Sequence, residues 1–280
     1  MRNINTDLLI SNIKEMCIEA NLELTDDVSS RIVFAAENEK SELGKKILEQ
    51  LVTNMKIARE ERIPICQDTG MAVVFLEIGQ DVHIEGMDLT EAVNEGVRRG
   101  YKEGYLRKSV VGDPLLRKNT GDNTPAILHT KIVPGENIKI TVAPKGFGSE
   151  NMSKVYMLKP ADGEEGVKNA IMDAVKAAGP NACPPIVVGV GVGGTFEMCA
   201  LLAKRALLRP LGEHSPLPHI KAMEEELLEK INNLNIGPGG LGGKTTALGI
   251  NIETYPTHIA GLPVAVNICC HVNRHVTRII

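Results

Sequence analysis

The sequence predicts a mixed α/β fold in which an N-terminal helical region is followed by interleaved strands and helices. Apolar residues recur three and four positions apart through most of the first sixty residues, which is the period of an amphipathic helix. Beyond them, short runs rich in β-branched residues are bounded by Gly, Pro, Asn or Asp and alternate with further helical segments. This order of elements indicates the fold class but does not fix the order of the strands.

The N-terminal region contains three predicted helices, at 7–20, 26–37 and 41–60, where apolar spacing is helical and breakers are few. We treat 1–60 as a helical cap region. No internal repeat and no low-complexity linker divides the chain, so we predict a single domain that spans 1–280.

Six strands and four more helices follow the cap region. Each predicted strand is short, apolar and bounded by turn residues, and each predicted helix returns to the helical period. The strands are expected at 71–78, 125–133, 138–143, 185–192, 245–252 and 263–269, and the helices at about 90–105, 164–178, 195–208 and 220–234.

The composition is that of a globular protein, with 280 residues of which 43% are apolar and 24% charged. A formal charge of −4 and an aromatic content of 3% supply neither a basic field nor stacking platforms, so no nucleic-acid partner is expected. No run approaches the roughly 18 apolar residues that span a bilayer, and the N-terminus lacks the apolar run of a signal peptide. We therefore expect a cytoplasmic protein without membrane association.

Six cysteines in a chain of this length are too sparse for a disulfide scaffold, and in a reducing compartment they serve as core filler, catalytic groups or metal ligands. Cys17 and Cys199 lie in apolar helical segments and are predicted to be buried filler. Cys66, Cys183 and Cys270 stand at the mouths of three loops, too far apart in sequence for a zinc finger. Three thiolates suit a metal cluster that leaves one metal ion open to substrate.

The neighbours of these three cysteines fit that interpretation to different degrees. Cys66 begins a Cys-Gln-Asp-Thr-Gly segment directly before a strand, where an Asx-type turn is the alternative. Cys183 is followed by two prolines, which fix the direction of the chain. Cys270 is followed by His271, Arg274 and a second histidine, and such cationic neighbours favour the thiolate.

Two glycine-rich segments look like nucleotide-binding loops. The G-x-G-x-x-G segment at 189–194 follows an apolar strand and precedes a helix, as in a dinucleotide-binding turn, which would indicate an NAD-dependent dehydrogenase. Its alternative is a turn that lets backbone segments pack closely or face an anion. The segment at 237–245 departs from a P-loop, because Pro238 replaces a required glycine and a strand follows, so we predict a turn there.

Six motifs in a fixed order carry a resemblance to a known family. They are Cys-Gln-Asp-Thr-Gly (66–70), Asn-Thr-Gly-Asp-Asn-Thr-Pro-Ala (119–126), Pro-Lys-Gly-Phe-Gly-Ser-Glu-Asn (144–151), Cys-Pro-Pro (183–185), Thr-His-Ile-Ala-Gly-Leu-Pro-Val-Ala (257–265) and the final Cys-His. Together they closely resemble the α subunit, or N-terminal domain, of the iron–sulfur (class I) fumarases and L-tartrate dehydratases. The resemblance runs from about residue 5 to the C-terminus.

The resemblance implies a [4Fe–4S] cluster held by Cys66, Cys183 and Cys270. Cys270 is preferred to Cys269 because the cysteine of the family precedes a short segment rich in Arg and His, and Cys269 then faces the other side of its strand. Three ligands leave one iron open as a Lewis acid for a substrate carboxylate and hydroxyl.

The resemblance also implies roles for five further residues. Gln67 and Asp68 match groups that contact substrate, with Asp68 taking part in proton transfer at the carbon next to the leaving hydroxyl. Arg107 resembles the arginine that clamps a substrate carboxylate through two parallel hydrogen bonds. Gly148 is expected to offer a backbone N–H to the substrate, with Gly146 as the near alternative.

His258 resembles a histidine that reaches the active site from a neighbouring protomer, so the resemblance implies a catalytic role for His258 and a dimer of α subunits. The family further implies a separate β subunit that supplies the remaining acid–base and carboxylate-binding groups. The expected reaction is the reversible hydration of fumarate to L-malate, with L(+)-tartrate dehydration as the alternative for this small dicarboxylate site. The alternatives from other classes are the NAD-dependent dehydrogenase and a non-catalytic assembly subunit.

Overall fold

The computed structural model describes residues 1–280 and contains ten β-strands and eight α-helices. The strands are β1 (Arg2–Asn5), β2 (Met71–Gly79), β3 (Val82–Glu85), β4 (Ile127–Val133), β5 (Ile138–Lys145), β6 (Lys154–Leu158), β7 (Ile186–Gly193), β8 (Ala247–Tyr255), β9 (Leu262–Cys269) and β10 (Val276–Ile279). The helices are α1 (Thr6–Leu22), α2 (Asp26–Asn38), α3 (Glu42–Glu61), α4 (Leu89–Glu103), α5 (Phe147–Glu150), α6 (Gly163–Ala178), α7 (Phe196–Ala206) and α8 (Pro218–Asn232).

Every helix and strand predicted from the sequence is present, and the mixed α/β class is confirmed. The structure also contains four strands that were not predicted, β1, β3, β6 and β10. Each is four or five residues long, and its residues alternate between exposed positions and buried or half-buried ones. Such short alternating patterns are difficult to recognise in a sequence. None of the helices combines the length and apolar character that crossing a membrane requires.

By its internal contacts the chain divides into two compact units. Unit 1 consists of Met1–Thr25, Lys56–Phe147 and Arg274–Ile280, and unit 2 of Asp26–Met55 and Gly148–Asn273. The helices of the region predicted as a cap are therefore shared between the units, with α1 in unit 1 and α2 in unit 2. The single cluster-binding domain stays a prediction.

Unit 1 is built on a four-stranded sheet in the order β10-β5-β2-β4. Strand β2 is parallel to β4 and antiparallel to β5, while β10 pairs antiparallel with β5. Its strands are rich in β-branched residues, which suit a buried pleated surface. The core packs α1 and α4 against this sheet through Ile13, Met16, Val74, Leu76, Val97, Ile138, Ile140 and Val142.

A stripe of glycines on α4 lets α1 approach closely. A Cβ on Gly100 would lie 2.8 Å from both the Lys14 carbonyl oxygen and Cys17 Cβ, and one on Gly96 would lie 2.8 Å from Ile13 Cβ. These glycines are unfavourable in an isolated helix, so the close contact must offset their cost. Cys17 is completely buried at this crossing, and burial raises the pKa of its thiol to about 12.

Unit 2 contains a second four-stranded sheet, in the order β6-β9-β7-β8. Strand β7 is parallel to β8 and antiparallel to β9. Alternate residues of a strand face opposite sides of a sheet, and one side here carries an aliphatic core. That core joins the sheet to α6 and α8 through Ile171, Val175, Val188, Val190, Leu227, Ile231, Val264 and Val266.

The other side of this sheet contacts α7 and carries small residues. A Cβ on Gly189 would lie 2.3 Å from the Ala203 carbonyl oxygen, and one on Gly191 would lie 2.1 Å from that of Cys199. Both glycines lie inside β7 and not in the turn that precedes α7. Their position fits close packing of backbone segments, the alternative stated for the 189–194 motif, and does not fit a dinucleotide-binding turn.

Replacing Gly191 by Ala is expected to lower the free energy of unfolding by about 1–3 kcal/mol, the usual cost of overpacking. The new methyl group would meet main-chain atoms of α7, which cannot move without displacing the helix. Urea unfolding measures this change. The matched control is Gly112→Ala, where the nearest atom lies 3.7 Å away and the midpoint should barely move. Equal stability of both variants would contradict the packing role of Gly191.

Candidate active site

The Cys-Gln-Asp-Thr-Gly segment forms a tight turn in unit 1 between α3 and β2. Asp68 Oδ1 accepts a hydrogen bond from the Gly70 N–H (3.0 Å), and Oδ2 accepts one from the Phe147 N–H (2.9 Å). The Asx-type turn considered for this segment is therefore present. Gly70 has a φ of 76°, and an added Cβ would lie 2.7 Å from the main chain of Lys145, so this position requires glycine.

Three buried side chains hold the carbonyl groups of this turn. The Tyr101 hydroxyl lies 2.8 Å from the Thr69 oxygen and 3.0 Å from the Gly70 oxygen, and Asn123 Nδ2 donates to Gly70 over 3.1 Å. Arg274 Nη2 donates to the Asp68 carbonyl, and its Nε donates to Pro144 over 3.3 Å. Because these side chains are at most 4% exposed, the turn is fixed from beneath while its outer side chains stay accessible.

Sequence reasoning did not select Tyr101, Asn123 or Arg274 as site residues. Asn123 lies within the 119–126 motif, whereas Arg274 lies shortly after the final Cys-His. Tyr101 offered a weaker signal, as one of only four tyrosines in the chain. Burial raises the pKa of its hydroxyl, which therefore stays a hydrogen-bond donor.

Arg107 lies beside the Asp68 turn in unit 1. Thr69 Oγ1 donates to the Arg107 carbonyl over 3.0 Å, while the Arg107 side chain is exposed. Gln67 is also exposed, and a Cβ on Gly146 would lie 3.2 Å from Asp68 Oδ2. Gln67, Asp68, Gly146 and the main chain of Arg107 therefore lie in one part of unit 1, and their roles toward a substrate stay predictions.

Gly148 follows Phe147 directly, in the short helix α5, and belongs to unit 2. It is exposed, and an added Cβ would meet no atom within 4 Å. Between the two glycines considered for substrate contact, Gly148 therefore borders open space whereas Gly146 borders the Asp68 carboxylate.

Cys183 lies in a constrained loop of unit 2. Its φ of 54° places it in the left-handed region, which costs free energy for a residue other than glycine and occurs where surrounding contacts impose it. Its N–H donates to the Pro180 carbonyl over 3.1 Å. The glycine-rich turn after α8 supports this loop, because the Gly239 N–H donates to Pro184 over 2.8 Å and a Cβ on Gly240 would lie 2.2 Å from Pro180 Cβ.

Cys270 directly follows β9, and the residue after it contacts the Cys183 loop. His271 Nδ1 lies 3.3 Å from the Cys183 carbonyl oxygen, so these two segments of unit 2 are adjacent. Cys270 is half-buried, whereas Cys269 is only 4% exposed with its Sγ 3.9 Å from the Val272 oxygen.

The six cysteines fall into two groups by accessibility. Cys17, Cys199 and Cys269 are buried, which confirms the burial predicted for the first two, whereas Cys66 and Cys270 are half-buried and Cys183 is exposed. Burial raises the pKa values of Cys17 and Cys199 and disfavours their thiolates. The accessible thiols are thus those of Cys66, Cys183 and Cys270, although no group of three or more Cys, His, Asp or Glu side chains in the structure encloses a metal position.

His258 lies in the exposed turn between β8 and β9 of unit 2. Its Nδ1 accepts a hydrogen bond from the Ala260 N–H over 3.1 Å, so the neutral ring carries its proton on Nε2, directed away from that bond. Two neighbouring apolar side chains are exposed, Ile259 at 91% and Tyr255 at 52%.

Comparison with known proteins identifies the family. The family described as Fumarate hydratase (Fumerase) matches residues 10–279. Over 268 residues the chain is 44% identical to the "Putative L(+)-tartrate dehydratase subunit alpha" of Methanocaldococcus jannaschii, with 94% of each chain covered. Over 257 residues it is 32% identical to the L(+)-tartrate dehydratase subunit alpha of Escherichia coli strain UTI89, covering 91% of this chain and 84% of that protein. The resemblance found in the sequence is confirmed, and the chain belongs to the fumarate hydratase (Fumerase) family of hydro-lyases.

Proposed function

We propose that this chain is the α subunit of a [4Fe–4S] hydro-lyase that catalyses the reversible hydration of fumarate to L-malate. The observation that carries the proposal is the division of the cysteines, because the three thiols that reach solvent are those expected to bind the cluster. Membership of the fumarate hydratase family supports the reaction class.

In this proposal Cys66, Cys183 and Cys270 hold the cluster through their thiolates. A cluster bound by three cysteines supplies an open iron, which acts as a Lewis acid toward the hydroxyl that leaves the substrate. Cys269 does not serve as the third ligand, since it is buried and its Sγ lies near the Val272 oxygen.

Asp68 is proposed to move the proton at the carbon next to the leaving hydroxyl. The Gly70 and Phe147 N–H groups donate hydrogen bonds to its two oxygens and fix its orientation. Thr69 holds the main chain of Arg107 to the turn, and the exposed Arg107 side chain can clamp a substrate carboxylate through two parallel hydrogen bonds, with the Gln67 amide as a further contact. These groups bind and orient the substrate while Asp68 carries out the acid–base step.

Gly148 and His258 are proposed to make two further contacts with substrate. Gly148 offers its backbone N–H to the substrate, and the open space beside its Cα leaves room for that approach. His258 is proposed to serve the site of a second copy of the chain through its Nε2–H. Exposed Ile259 and Tyr255 beside it support a dimer of α subunits, since apolar side chains of this size are favoured at interfaces.

A separate β subunit is proposed to complete the active site. Its support is that the relatives, aligned over nearly all of this chain, are named as alpha subunits. Their names also favour a second candidate substrate, L(+)-tartrate, which differs from malate by one hydroxyl group. We place the assembled enzyme in the cytoplasm.

Anaerobic purification of this chain, alone and with its co-expressed β subunit, tests the proposal. We expect iron and sulfide in equal amounts, the brown absorption of an iron–sulfur cluster, and fumarate hydration that requires both chains. Hydration of fumarate and dehydration of L(+)-tartrate are measured side by side, and a preference for tartrate would select the second candidate. Absence of iron after reconstitution would overturn the cofactor, and full activity of the lone chain would overturn the partner.

A further inference from the structure

A single carboxylate in unit 2 joins three elements. Glu150, at the end of α5, accepts a hydrogen bond from Lys204 Nζ on α7 and another from Asn267 Nδ2 on β9, the latter over 2.7 Å. The Lys204 and Glu150 side chains are 19% and 26% exposed, and Asn267 is 5% exposed. These partly desolvated charges interact more strongly than a surface ion pair.

The amide of Asn267 is held in one orientation by this carboxylate. Its Nδ2 also lies 2.7 Å from Ser153 Oγ, which in turn accepts the Ile268 N–H over 3.1 Å. The Asn267 oxygen is buried without a hydrogen-bond partner. Rotating the amide by 180° would place the Asn267 oxygen against the Glu150 carboxylate, and two acceptors cannot form a hydrogen bond.

Stability alone does not account for this polar arrangement. Apolar side chains of similar size would be as stable or more stable between a helix and a sheet. The polar network differs from apolar packing because hydrogen bonds have preferred distances and angles. It therefore fixes the position of α5 along β9.

We propose that Glu150 is a positioning residue that fixes Gly148 relative to the strand that ends beside Cys270. The inference rests on the proposed function, since it assigns the carboxylate a task in that site. Gly148 lies two residues before Glu150 on α5, and Asn267 lies three residues before Cys270 on β9. The network therefore ties the backbone N–H proposed to bind substrate to the segment proposed to bind the cluster.

Glu150 acts through Gly148, so its loss should weaken substrate binding while leaving the proton transfer at Asp68 in place. Misplacement of a binding group by about 1 Å can cost up to about 10²-fold. We expect Glu150→Gln to raise KM at least about tenfold with little change in kcat or iron content. Lys204→Met removes the same ion pair, so the double variant should be no worse than either single variant.

The test uses the complex of this chain with its β subunit and compares Glu150→Gln, Lys204→Met and the double variant with Asp173→Asn. Asp173 forms an ion pair with Lys154 (3.1 Å) and accepts a hydrogen bond from Tyr156, both on β6 of the same unit, so its loss should leave KM unchanged. A second measurement follows hydrogen exchange of a peptide covering 147–151, which should be faster in Glu150→Gln and unchanged in Asp173→Asn.

An unaltered KM and unaltered exchange in Glu150→Gln would overturn the inference. Loss of thermal stability with wild-type KM would also overturn it, since that result describes a purely structural ion pair. A wild-type complex without hydratase activity would instead be a failure of the proposed function. In that case hydrogen exchange alone decides whether Glu150 orders the Gly148 segment.

Discussion

A Cys183→Ser variant is expected to lose the iron–sulfur cofactor and, with it, hydratase activity by about 10³-fold or more. A Lewis-acid metal contributes several kcal/mol to stabilising the transition state, and each 1.4 kcal/mol is about a factor of ten in rate. The fold should survive, because Cys183 is exposed and serine adopts the same backbone conformation. Iron and sulfide content, visible absorption, circular dichroism and the hydration rate measure these outcomes.

The matched control is Cys199→Ser, the same substitution at a buried cysteine of unit 2. Cys199 Sγ lies 3.2 Å from the Phe196 carbonyl oxygen, and a serine hydroxyl can donate to that oxygen. We expect Cys199→Ser to retain its iron and activity with at most a moderate loss of stability. A Cys183→Ser complex that kept its iron and its activity would contradict the cluster assignment, whereas a wild-type complex without iron that Cys183→Ser left unaltered would favour the non-catalytic assembly subunit.

The elements that sequence predicted well are those whose signal is local. Strands β2, β7 and β9 are continuous apolar runs, and α4 begins where Asp88 caps the N–H groups of Thr90 and Glu91. The close approach of α1 to α4 was not predictable, because the two glycines Gly96 and Gly100 look unfavourable in a helix until the partner helix is known. The division into two units was not predictable either, because α1 and α2 belong to different units although the amino-acid composition does not change between them.

For the candidate site, the sequence predicted the turn at 66–70 but not the buried side chains that hold its carbonyl groups. Cys66, Gln67 and Asp68 adjoin one another, so a single motif contains them. Arg274 contacts the carbonyl of Asp68 from more than two hundred residues away, and no spacing rule predicts such a pair. The same holds for Glu150, whose motif was recognised but whose link to Lys204 and Asn267 requires the register of β9 and the placement of α7.

An Asp68→Asn variant is expected to lower kcat by about 10²–10⁴-fold, the usual contribution of a general acid or base. The amide keeps the size of the carboxylate and can still accept from the Gly70 N–H, but it cannot take up a proton from carbon. Substrate binding through Arg107 and cluster retention should persist, so KM should stay within about threefold of the wild-type value. Some stability should be lost, since the second oxygen that accepts the Phe147 N–H becomes an NH₂ group.

Solvent exchange separates this role from a structural one. The wild-type complex should replace one hydrogen at C3 of L-malate with deuterium in D₂O, which proton NMR detects, whereas Asp68→Asn should exchange it far more slowly. Asp113→Asn is the matched control in unit 1, because Asp113 also accepts two backbone N–H groups, those of Leu115 and Leu116, in an exposed turn. Exchange at the wild-type rate in Asp68→Asn would contradict the acid–base role of Asp68. The substitution leaves the supporting side chains Tyr101, Asn123 and Arg274 in place. Slow exchange with an intact fold and cluster would therefore assign the proton transfer to the Asp68 carboxylate and not to the turn that holds it.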